Sequence, residues 1–221
     1  FGGTGQLGTS IKTKCSGRFE ILNPTRDEVG LDDLKNLSNN IRTILIQEMP
    51  DVIVNAAAYT NVEKAEVEQD LAFAVNGHAL VNICEEIDNF NREHSRDLPL
   101  IHLSTDYVFD GNGNEPNRPL DKINPINVYG KSKAEGENII LSSNISYLIF
   151  RTSWVVSRYG NNFVKTILKK RSVAAFSSYK LLQNYNNISF KNNIIKKENL
   201  KTNADEIFLS FRICLIASKK G

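Results

Sequence analysis

The chain has 221 residues, of which 41% are hydrophobic and 24% are charged, a composition typical of a soluble globular protein with a substantial core. The formal net charge of +2 argues against a nucleic-acid partner. No apolar run reaches the roughly 18 residues of a membrane span. The three scattered cysteines suggest neither a disulfide framework nor a zinc site, so we expect a cytoplasmic protein with no membrane or nucleic-acid partner and no metal ligands.

Short apolar runs alternate with longer amphipathic segments along the first 171 residues. Strands are predicted at residues 51–57, 100–104 and 147–151, with a weaker strand at 19–22. Helices are predicted at residues 6–14, 33–47, 62–75, 78–89 and 129–141. Unbroken strands rich in Val and Ile are typical of a parallel sheet that is buried on both faces. The alternation therefore favours an α/β fold with a doubly wound parallel sheet of the Rossmann type.

A glycine-rich turn precedes the first predicted helix, with Gly2, Gly5 and Gly8 in a G-x-x-G-x-x-G spacing. Glycines at this spacing let a pyrophosphate approach the backbone amides, and the helix that follows adds its positive N-terminal end. We therefore predict a dinucleotide-binding loop here. A flexible turn without a ligand is the alternative interpretation.

Arg26 follows the weak second strand, at a place where NAD-binding proteins usually carry an acidic residue for the ribose 2′-hydroxyl. No acidic residue lies at the tip of this strand, and an arginine can accommodate the 2′-phosphate of NADPH. The sequence thus favours NADPH over NADH. The alternative is that Arg26 is an ordinary solvated loop charge.

The next two strands end in segments that suit a ligand site. Residues 55–60 combine small side chains with a polar turn, so a cofactor can lie against the backbone there, although close packing of a helix explains the same composition. Thr105 follows the strand at 100–104, and ligands of open α/β sheets bind beyond the carboxyl ends of strands. Its hydroxyl is a candidate to bind a substrate carbonyl, with a turn cap as the alternative. His102 lies mid-strand, and we expect a core residue.

Tyr129 and Lys133 lie four residues apart in a predicted helix and therefore share one of its faces. An ammonium group near a phenol favours the phenolate, so we expect the tyrosine pKa to be lowered. Tyr129 is then a candidate general acid for a carbonyl oxygen that receives a hydride. Together with Thr105, these residues form a set of hydroxyl, acid and cation.

Composition changes after Arg171. Asn and Lys dominate the remaining residues, which contain no Pro and no Gly before Gly221. We divide the chain into a dinucleotide-binding domain, residues 1–171, and a divergent tail, residues 172–221, that is expected to pack poorly. An apolar run at 207–217 fits either a helix or a strand.

Five segments resemble the dTDP-4-dehydrorhamnose reductase family of the extended short-chain dehydrogenase/reductase superfamily in order and spacing: GGTGQLG, DVIVNAAAYTNVEKAE, LSTDYVFDG, NPINVYGKSKAEGE and RTSWVVSRYGNNFVKTIL. The resemblance covers roughly residues 1–171. It implies reduction of the 4-keto group of dTDP-4-dehydro-6-deoxy-L-mannose to dTDP-L-rhamnose, a precursor of cell-surface polysaccharide, with NADPH or NADH. We also note magnesium as a family cofactor, without identifiable ligands here, and a homodimer as a candidate assembly.

The resemblance also implies roles for individual residues. Tyr129 is the proton donor, Lys133 is its partner and holds the nicotinamide ribose, and Thr105 is the active-site hydroxyl. Asp106 and Trp154 border the sugar. The implied cofactor contacts are Gly2, Gly5, Gln6, Leu7, Gly8, Arg26, Ala58, Tyr59, Thr60, Tyr129 and Lys133.

Two other functions are consistent with the same fold. One is a noncatalytic regulatory protein similar to the β subunit of methionine adenosyltransferase, and the other is a sugar-nucleotide epimerase or dehydratase. Intact Tyr129, Lys133 and Thr105 favour an enzyme, and the STDYVFDG and RTSW segments disfavour the epimerase. Turnover of a dTDP-4-keto-6-deoxy sugar with NADPH distinguishes the reductase from both.

The chain departs from the family at both ends. The family has an apolar strand before the glycine loop, and after the NNF helix it has a D-Q-x-G-x-P-T segment and a substrate domain. The sequence here matches neither feature, so we expect the substrate domain to be largely missing from this chain. We hypothesise a truncated or frameshifted gene, and we expect this chain to be a poor catalyst.

Overall fold

The computed structural model describes residues 1–112, 116–170 and 214–218. The chain divides into two compact units, one of Phe1–Ser153 with Phe211–Gly221 and the other of Trp154–Ser210. The boundary predicted after residue 171 and most of the predicted tail lie outside the described residues.

The first unit alternates helices with strands. Its elements are α1 (Gln6–Cys15), α2 (Leu34–Glu48), β1 (Ile53–Asn55), α3 (Val62–Ala65), α4 (Gln69–Phe73), α5 (Ala79–His94), β2 (Leu100–Thr105), α6 (Val128–Ser142), β3 (Tyr147–Thr152) and β4 (Cys214–Ser218). A π-helical turn, Ala74–His78, joins α4 to α5, and a 3₁₀ turn, Asp106–Val108, follows β2. The second unit contains α7 (Phe163–Lys170).

The strands form one sheet in the order β1-β2-β3-β4. β1, β2 and β3 are parallel, with Ile53 opposite Leu100 and Leu100 opposite Tyr147, whereas β4 runs antiparallel to β3. On the other side of β1, the Phe1 amino group donates to the Val54 carbonyl over 2.6 Å, and the Phe1 carbonyl accepts from the Ala56 amide. The residue before the glycine turn is therefore paired to β1.

The core lies between the sheet and helices α2 and α5. Each helix buries apolar residues three or four positions apart, which places them on one face. Burial of each such side chain stabilises the fold by about 1.5–3 kcal/mol. The fully buried members include Leu37, Ile41 and Leu45 of α2, Leu80, Ile83 and Ile87 of α5, and Leu100 and Ile149 of the sheet.

The structure confirms most of the predicted elements, including α1, α2, α6, β2 and β3, to within one residue at each end. The strand predicted at 51–57 is limited to Ile53–Asn55, and the helix predicted at 78–89 extends to His94. The strand predicted at 19–22 is wrong. Phe19 is 69% exposed, and its amide donates to the Cys15 carbonyl in a turn that ends α1.

The single helix predicted at 62–75 is also wrong, because it is interrupted between α3 and α4 and ends in the π-helical turn. Glu66 lies at the interruption and accepts a hydrogen bond from the Val128 amide over 2.9 Å. The interruption thus lets a carboxylate reach the first turn of α6, where negative charge is stabilised by the helix dipole.

Among the described residues, no helix is both long and apolar enough to cross a bilayer.

A buried ion pair fixes α6 to the sheet. Arg151 of β3 and Glu137 of α6 meet at 2.6 Å, and Arg151 Nε contacts both carboxylate oxygens at 3.0 and 3.1 Å. The Ser104 hydroxyl donates to the same carboxylate over 2.5 Å, and Arg151 also donates to the Pro119 carbonyl. This pair therefore connects β2, β3, α6 and the loop before α6.

Glu137→Gln should lower the free energy of unfolding by about 3–5 kcal/mol, because it leaves the Arg151 charge buried without its counter-ion. Glu93→Gln is the matched control, since it breaks the exposed Arg42–Glu93 pair and should cost at most about 1 kcal/mol. Urea unfolding followed by circular dichroism measures both values. Similar losses of unfolding free energy in the two variants would contradict the conclusion that the buried ion pair stabilises the fold more than the exposed one does.

Candidate active site

The glycine loop packs directly against the tip of β1. Gly2 has a φ of 75°, and a Cβ there would lie 2.5 Å from the Ala57 amide nitrogen. A Cβ at Gly8 would lie 2.3 Å from the Gly2 carbonyl oxygen, so α1 also touches the loop backbone. Only glycine allows both approaches. The loop is therefore a tight turn at the carboxyl edge of the sheet, as the spacing predicts.

Helix α1 begins directly after this turn. Its N-cap is Gly5, which has no side chain to accept a hydrogen bond from the amides of the first turn. The first turn, which contains Gln6 and Leu7, carries no acidic residue. The positive end of the helix is thus not neutralised by a carboxylate of its own, and this is the condition that suits a bound phosphate.

Arg26 lies in a turn that is fixed by Thr25 and Glu28. The Thr25 amide donates to the Glu28 carboxylate over 2.6 Å, and the Glu28 amide donates to the Thr25 hydroxyl over 3.3 Å. The Arg26 side chain is 75% exposed and pairs with Asp32 at 2.6 Å, which raises the pKa of Arg26 and lowers the pKa of Asp32.

The loop that carries Arg26 borders the glycine turn through Asn23. A Cβ at Gly3 would lie 1.6 Å from the Asn23 side-chain oxygen. Sequence reasoning did not identify Asn23 as a neighbour of the glycine turn, because nothing in its spacing distinguishes it from other loop residues.

The segment Ala58, Tyr59 and Thr60 is held by Asn76, a buried residue of the π-helical turn. The Asn76 side chain accepts from the Tyr59 amide at 2.9 Å and donates to the Tyr59 carbonyl at 3.0 Å. Its amide group also lies 3.0 Å from the Ser132 hydroxyl of α6. π-Helical turns are frequent at functional sites. Asn76 was missed by the sequence analysis, where the only signal was an Asn-Gly pair between two predicted helices.

The Tyr59 phenol points to a different partner. Its hydroxyl donates to the Glu68 carboxylate over 2.5 Å, and this hydrogen bond raises the pKa of Tyr59 to about 12. The backbone of Tyr59, rather than its side chain, is therefore connected to α6 through Asn76 and Ser132. Helix α6 carries the candidate catalytic residues Tyr129 and Lys133.

The start of α6 is fixed by two capping interactions. The Asn127 side chain accepts from the Gly130 amide over 2.7 Å, and Glu66 accepts from the Val128 amide. A Cβ at Gly130 would lie 2.2 Å from the Tyr107 carbonyl oxygen, so the first turn of α6 lies against the segment that follows β2. Tyr129 is thereby brought to the carboxyl end of this strand.

Tyr129 lies near Thr105 at this position, with its ring edge-on to Tyr107 at 5.5 Å. Burial raises the pKa of the Tyr129 phenol, a hydrogen bond with Thr105 partly opposes that effect, and the Asp106 charge adds to it. The Thr105 hydroxyl also donates to Asp106 at 3.1 Å and accepts from the Tyr107 amide at 3.2 Å. The turn-cap interpretation of Thr105 is thus confirmed.

The expectation of a lowered Tyr129 pKa is wrong in this structure. Burial dominates, and the Lys133 amino group is directed to other partners. Lys133 is only 1% exposed, and its Nζ donates to the Leu103 carbonyl over 2.7 Å and lies 3.1 Å from His102 Nε2. Burial lowers the pKa of Lys133 to about 8, against the opposing charge of Glu137. His102 is a fully buried, hydrogen-bonded core residue, as expected.

The two remaining predicted residues are more exposed. Asp106 lies at the surface beside Thr105, where it can face a substrate. Trp154 belongs to the second unit, where it is 68% exposed and its ring lies edge-on to Phe163 at 4.9 Å. Within the described parts of the chain, no three His, Cys, Asp or Glu side chains are grouped as metal ligands.

The parallel sheet, the glycine turn before α1 and the polar groups at the carboxyl ends of the strands define a Rossmann-type protein of the short-chain dehydrogenase/reductase class. Residues 1–176 match the family model described as RmlD substrate binding domain, and the chain belongs to this family.

Relatives within the family are named as reductases. The chain is 42% identical over 168 residues to a dTDP-4-dehydrorhamnose reductase of Sinorhizobium fredii, an alignment that covers 76% of this chain and 53% of the relative. A similar match, 41% over 170 residues with 76% and 54% covered, is to the dTDP-4-dehydrorhamnose reductase of Aggregatibacter actinomycetemcomitans. The chain thus spans about half the length of the curated relatives it matches.

A crystal structure of a dTDP-4-dehydrorhamnose reductase from Bacillus anthracis in complex with NADP superposes with a TM-score of 0.70 and 31% identity, covering 77% of this chain and 58% of that one. A similar structure, the orthologue from Clostridium acetobutylicum, gives a TM-score of 0.69 at 32% identity, covering 77% of this chain and 57% of that one. Both similarities agree with the fold and family described above.

Gly8→Ala should weaken NADPH binding by about tenfold or more, because the added methyl group would push α1 away from the Gly2 backbone and displace the loop. Gly77→Ala is the control, since its Cβ would meet only the flexible Glu135 side chain, at 3.3 Å. Titration of NADPH fluorescence measures both affinities. Unchanged binding by Gly8→Ala would remove this turn from the cofactor site.

Proposed function

We propose that this chain forms the NADPH-binding and catalytic part of a dTDP-4-dehydrorhamnose reductase, which reduces the 4-keto group of dTDP-4-dehydro-6-deoxy-L-mannose to give dTDP-L-rhamnose. Membership of the family supports the class of substrate. The observation that carries the proposal is that the first turn of α6 packs against the segment after β2, where the partly buried Tyr129 ring lies edge-on to Tyr107 at 5.5 Å, two residues from Thr105. The glycine turn lies at the same edge of the sheet.

The residues present fit a dinucleotide. Gly2 and Gly8 leave a cradle that a Cβ would fill, and α1 begins there without an acidic residue in its first turn. We propose that the loop amides of Gly5, Gln6 and Leu7 hold the pyrophosphate, and that Ala58, Tyr59 and Thr60 line the next part of the cofactor. Lys133 would hold the nicotinamide ribose.

The candidate acid is in the protonation state that a reduction requires. NADPH, when bound, supplies a hydride to the carbonyl carbon. The Thr105 hydroxyl would turn its proton from Asp106 to the carbonyl oxygen, and Tyr129 would give its phenolic proton to that oxygen as negative charge develops. Because burial raises the Tyr129 pKa, the phenol stays protonated at neutral pH until an alkoxide, which is a stronger base, forms beside it.

The contacts to the sugar are proposed at two positions. Asp106 is exposed next to Thr105 and would accept hydrogen bonds from sugar hydroxyls. Trp154, which belongs to the second unit, would border the sugar by similarity to the family alone. Both assignments rest on similarity to the family.

Tyr129→Phe should lower the turnover of NADPH with the keto sugar by about 100-fold or more, because the proton donor is lost, while NADPH affinity stays nearly unchanged. The matched control is Tyr147→Phe, which removes a phenol from the amino end of β3, away from the carboxyl ends of the strands, and should leave turnover intact. Stopped-flow absorbance measures turnover, and fluorescence titration measures binding. Equal losses of turnover and binding would argue against the acid role.

Turnover by a full-length version of the protein tests the function itself. NADPH oxidation that depends on the dTDP-linked keto sugar supports the reductase. Retained NADPH binding without any turnover would instead favour a regulatory protein on the same fold.

Arg26→Gln should weaken NADPH binding by about tenfold and leave NADH binding unchanged, because only NADPH carries the 2′-phosphate. Arg42→Gln is the control, since Arg42 is likewise an exposed arginine in an ion pair but lies on α2. Fluorescence titrations with both cofactors give the ratio of affinities. An unchanged ratio for Arg26→Gln would leave Arg26 as a solvated loop charge.

A further inference from the structure

A row of hydrogen-bonded, buried polar side chains, Asn55, His102 and Lys133, lies beneath the proposed site. The proposed reaction gives no role to Asn55 or His102. His102 is fully buried in β2, with its Nδ1 at 3.2 Å from Asn55 Nδ2 and its Nε2 at 3.1 Å from Lys133 Nζ. The Asn55 side-chain oxygen accepts from the Ala57 amide over 3.1 Å. The chain of contacts therefore connects the backbone at the tip of β1 to the amine proposed to hold the ribose.

The order of donors and acceptors along this row of polar groups is fixed by the Ala57 amide, where the row begins. The Ala57 amide can only donate, so the Asn55 oxygen faces Ala57 and the Asn55 NH₂ group faces His102. Nδ1 of His102 must then accept. Because a neutral imidazole has one N–H, that proton lies on Nε2 and points toward Lys133.

A charged Lys133 conflicts with this order. An ammonium group has only donors, and it would meet the Nε2–H of His102 with a second donor. To accept from Lys133, His102 must move its proton to Nδ1, and the Asn55 amide must rotate and give up the Ala57 hydrogen bond. The Ala57–Asn55 bond and the positive charge on Lys133 therefore compete.

The other charged groups nearby do not resolve the conflict. Glu137 lies one turn further along α6, but its carboxylate is bound by Arg151 and Ser104. The Asp106 charge acts on Tyr129, on the other side of the site. Protonation of His102 is no alternative, because burial and the neighbouring Lys133 lower the His102 pKa well below its usual value.

We infer that Asn55 and His102 are positioning residues that keep Lys133 as a neutral amine in the cofactor-free site and couple its protonation to the backbone at Ala57. Ala57 directly precedes the proposed cofactor segment, and its amide nitrogen is where a side chain at Gly2 would collide. Burial lowers the pKa of Lys133 to about 8, which by itself leaves the amine mostly charged at pH 7, so the donor order at His102 must lower it further. The role in catalysis rests on the proposed function, whereas the protonation order does not.

Nitrogen-15 NMR of the histidine-labelled chain without cofactor tests the protonation order directly. We expect His102 at pH 7 to carry its proton on Nε2 and to show an unprotonated Nδ1. The sequence has three histidines, and His102→Gln assigns the signal. A proton on Nδ1 would overturn the inference, and this measurement requires neither turnover nor a stable variant.

Asn55→Asp tests the coupling. A carboxylate accepts at both oxygens, so it should bind the Ala57 amide and the Nδ1–H of His102 together, leave Nε2 as an acceptor, and permit a charged Lys133. We expect the Lys133 titration, followed by NMR of labelled lysine, to shift upward by about one pH unit or more. Asn91→Asp is the matched control, because it adds the same charge at the Leu98 amide, away from His102, and should produce no shift.

Activity gives the second readout. If the charged Lys133 holds the ribose, kcat/KM falls as pH rises through its pKa, and Asn55→Asp should move that fall to higher pH without the Asn91→Asp variant doing so. Equal shifts in both variants, or none in Asn55→Asp, would overturn the coupling. The expected NMR results, together with no turnover by a full-length version, would instead count against the proposed reductase and leave the protonation order standing.

Discussion

Glu137 and Arg151 form an ion pair that water does not reach, and the position of α6 over the sheet depends on it. Two charges removed from water are tolerated only when their geometry satisfies most of their hydrogen bonds. Here the carboxylate receives three contacts from Arg151 and one from Ser104. Because Tyr129, Lys133 and Glu137 are spaced four residues apart, the anchor at one end of this helix face determines where the phenol and the amine lie.

Burial is the common cause of the electrostatics along that face. It raises the pKa of Tyr129, which keeps the phenol neutral at pH 7, and it lowers the pKa of Lys133 to about 8, which shifts the amine toward its neutral form. A neutral phenol is a ready proton donor, whereas a neutral amine is a weaker partner for it than a cation. Burial thus suits Tyr129 to its proposed role as proton donor. The positive charge of Lys133 must instead be favoured by a ligand that interacts with it.

The sequence predicted the alternation of strands and helices, and it placed Thr105 at the end of β2 and Tyr129 in the first turn of α6, because spacing and strand ends determine these positions. It failed where contacts between distant segments decide the outcome. The segment at 19–22 is apolar but exposed, and the helix at 62–75 is interrupted where Glu66 reaches α6. The Tyr129 pKa was expected to fall, since helical spacing alone does not reveal that Lys133 turns toward His102 and Leu103.

The packing of α6 against the π-helical turn makes the site sensitive to changes at a distance. A Cβ at Gly136 would lie 2.2 Å from the Asn76 carbonyl oxygen, and that atom belongs to backbone that cannot rotate away. A methyl group there would displace the helix as a rigid rod, and the phenol two turns away would move with it. A natural substitution at this buried glycine would therefore lower the rate of the enzyme, although the glycine itself never touches substrate.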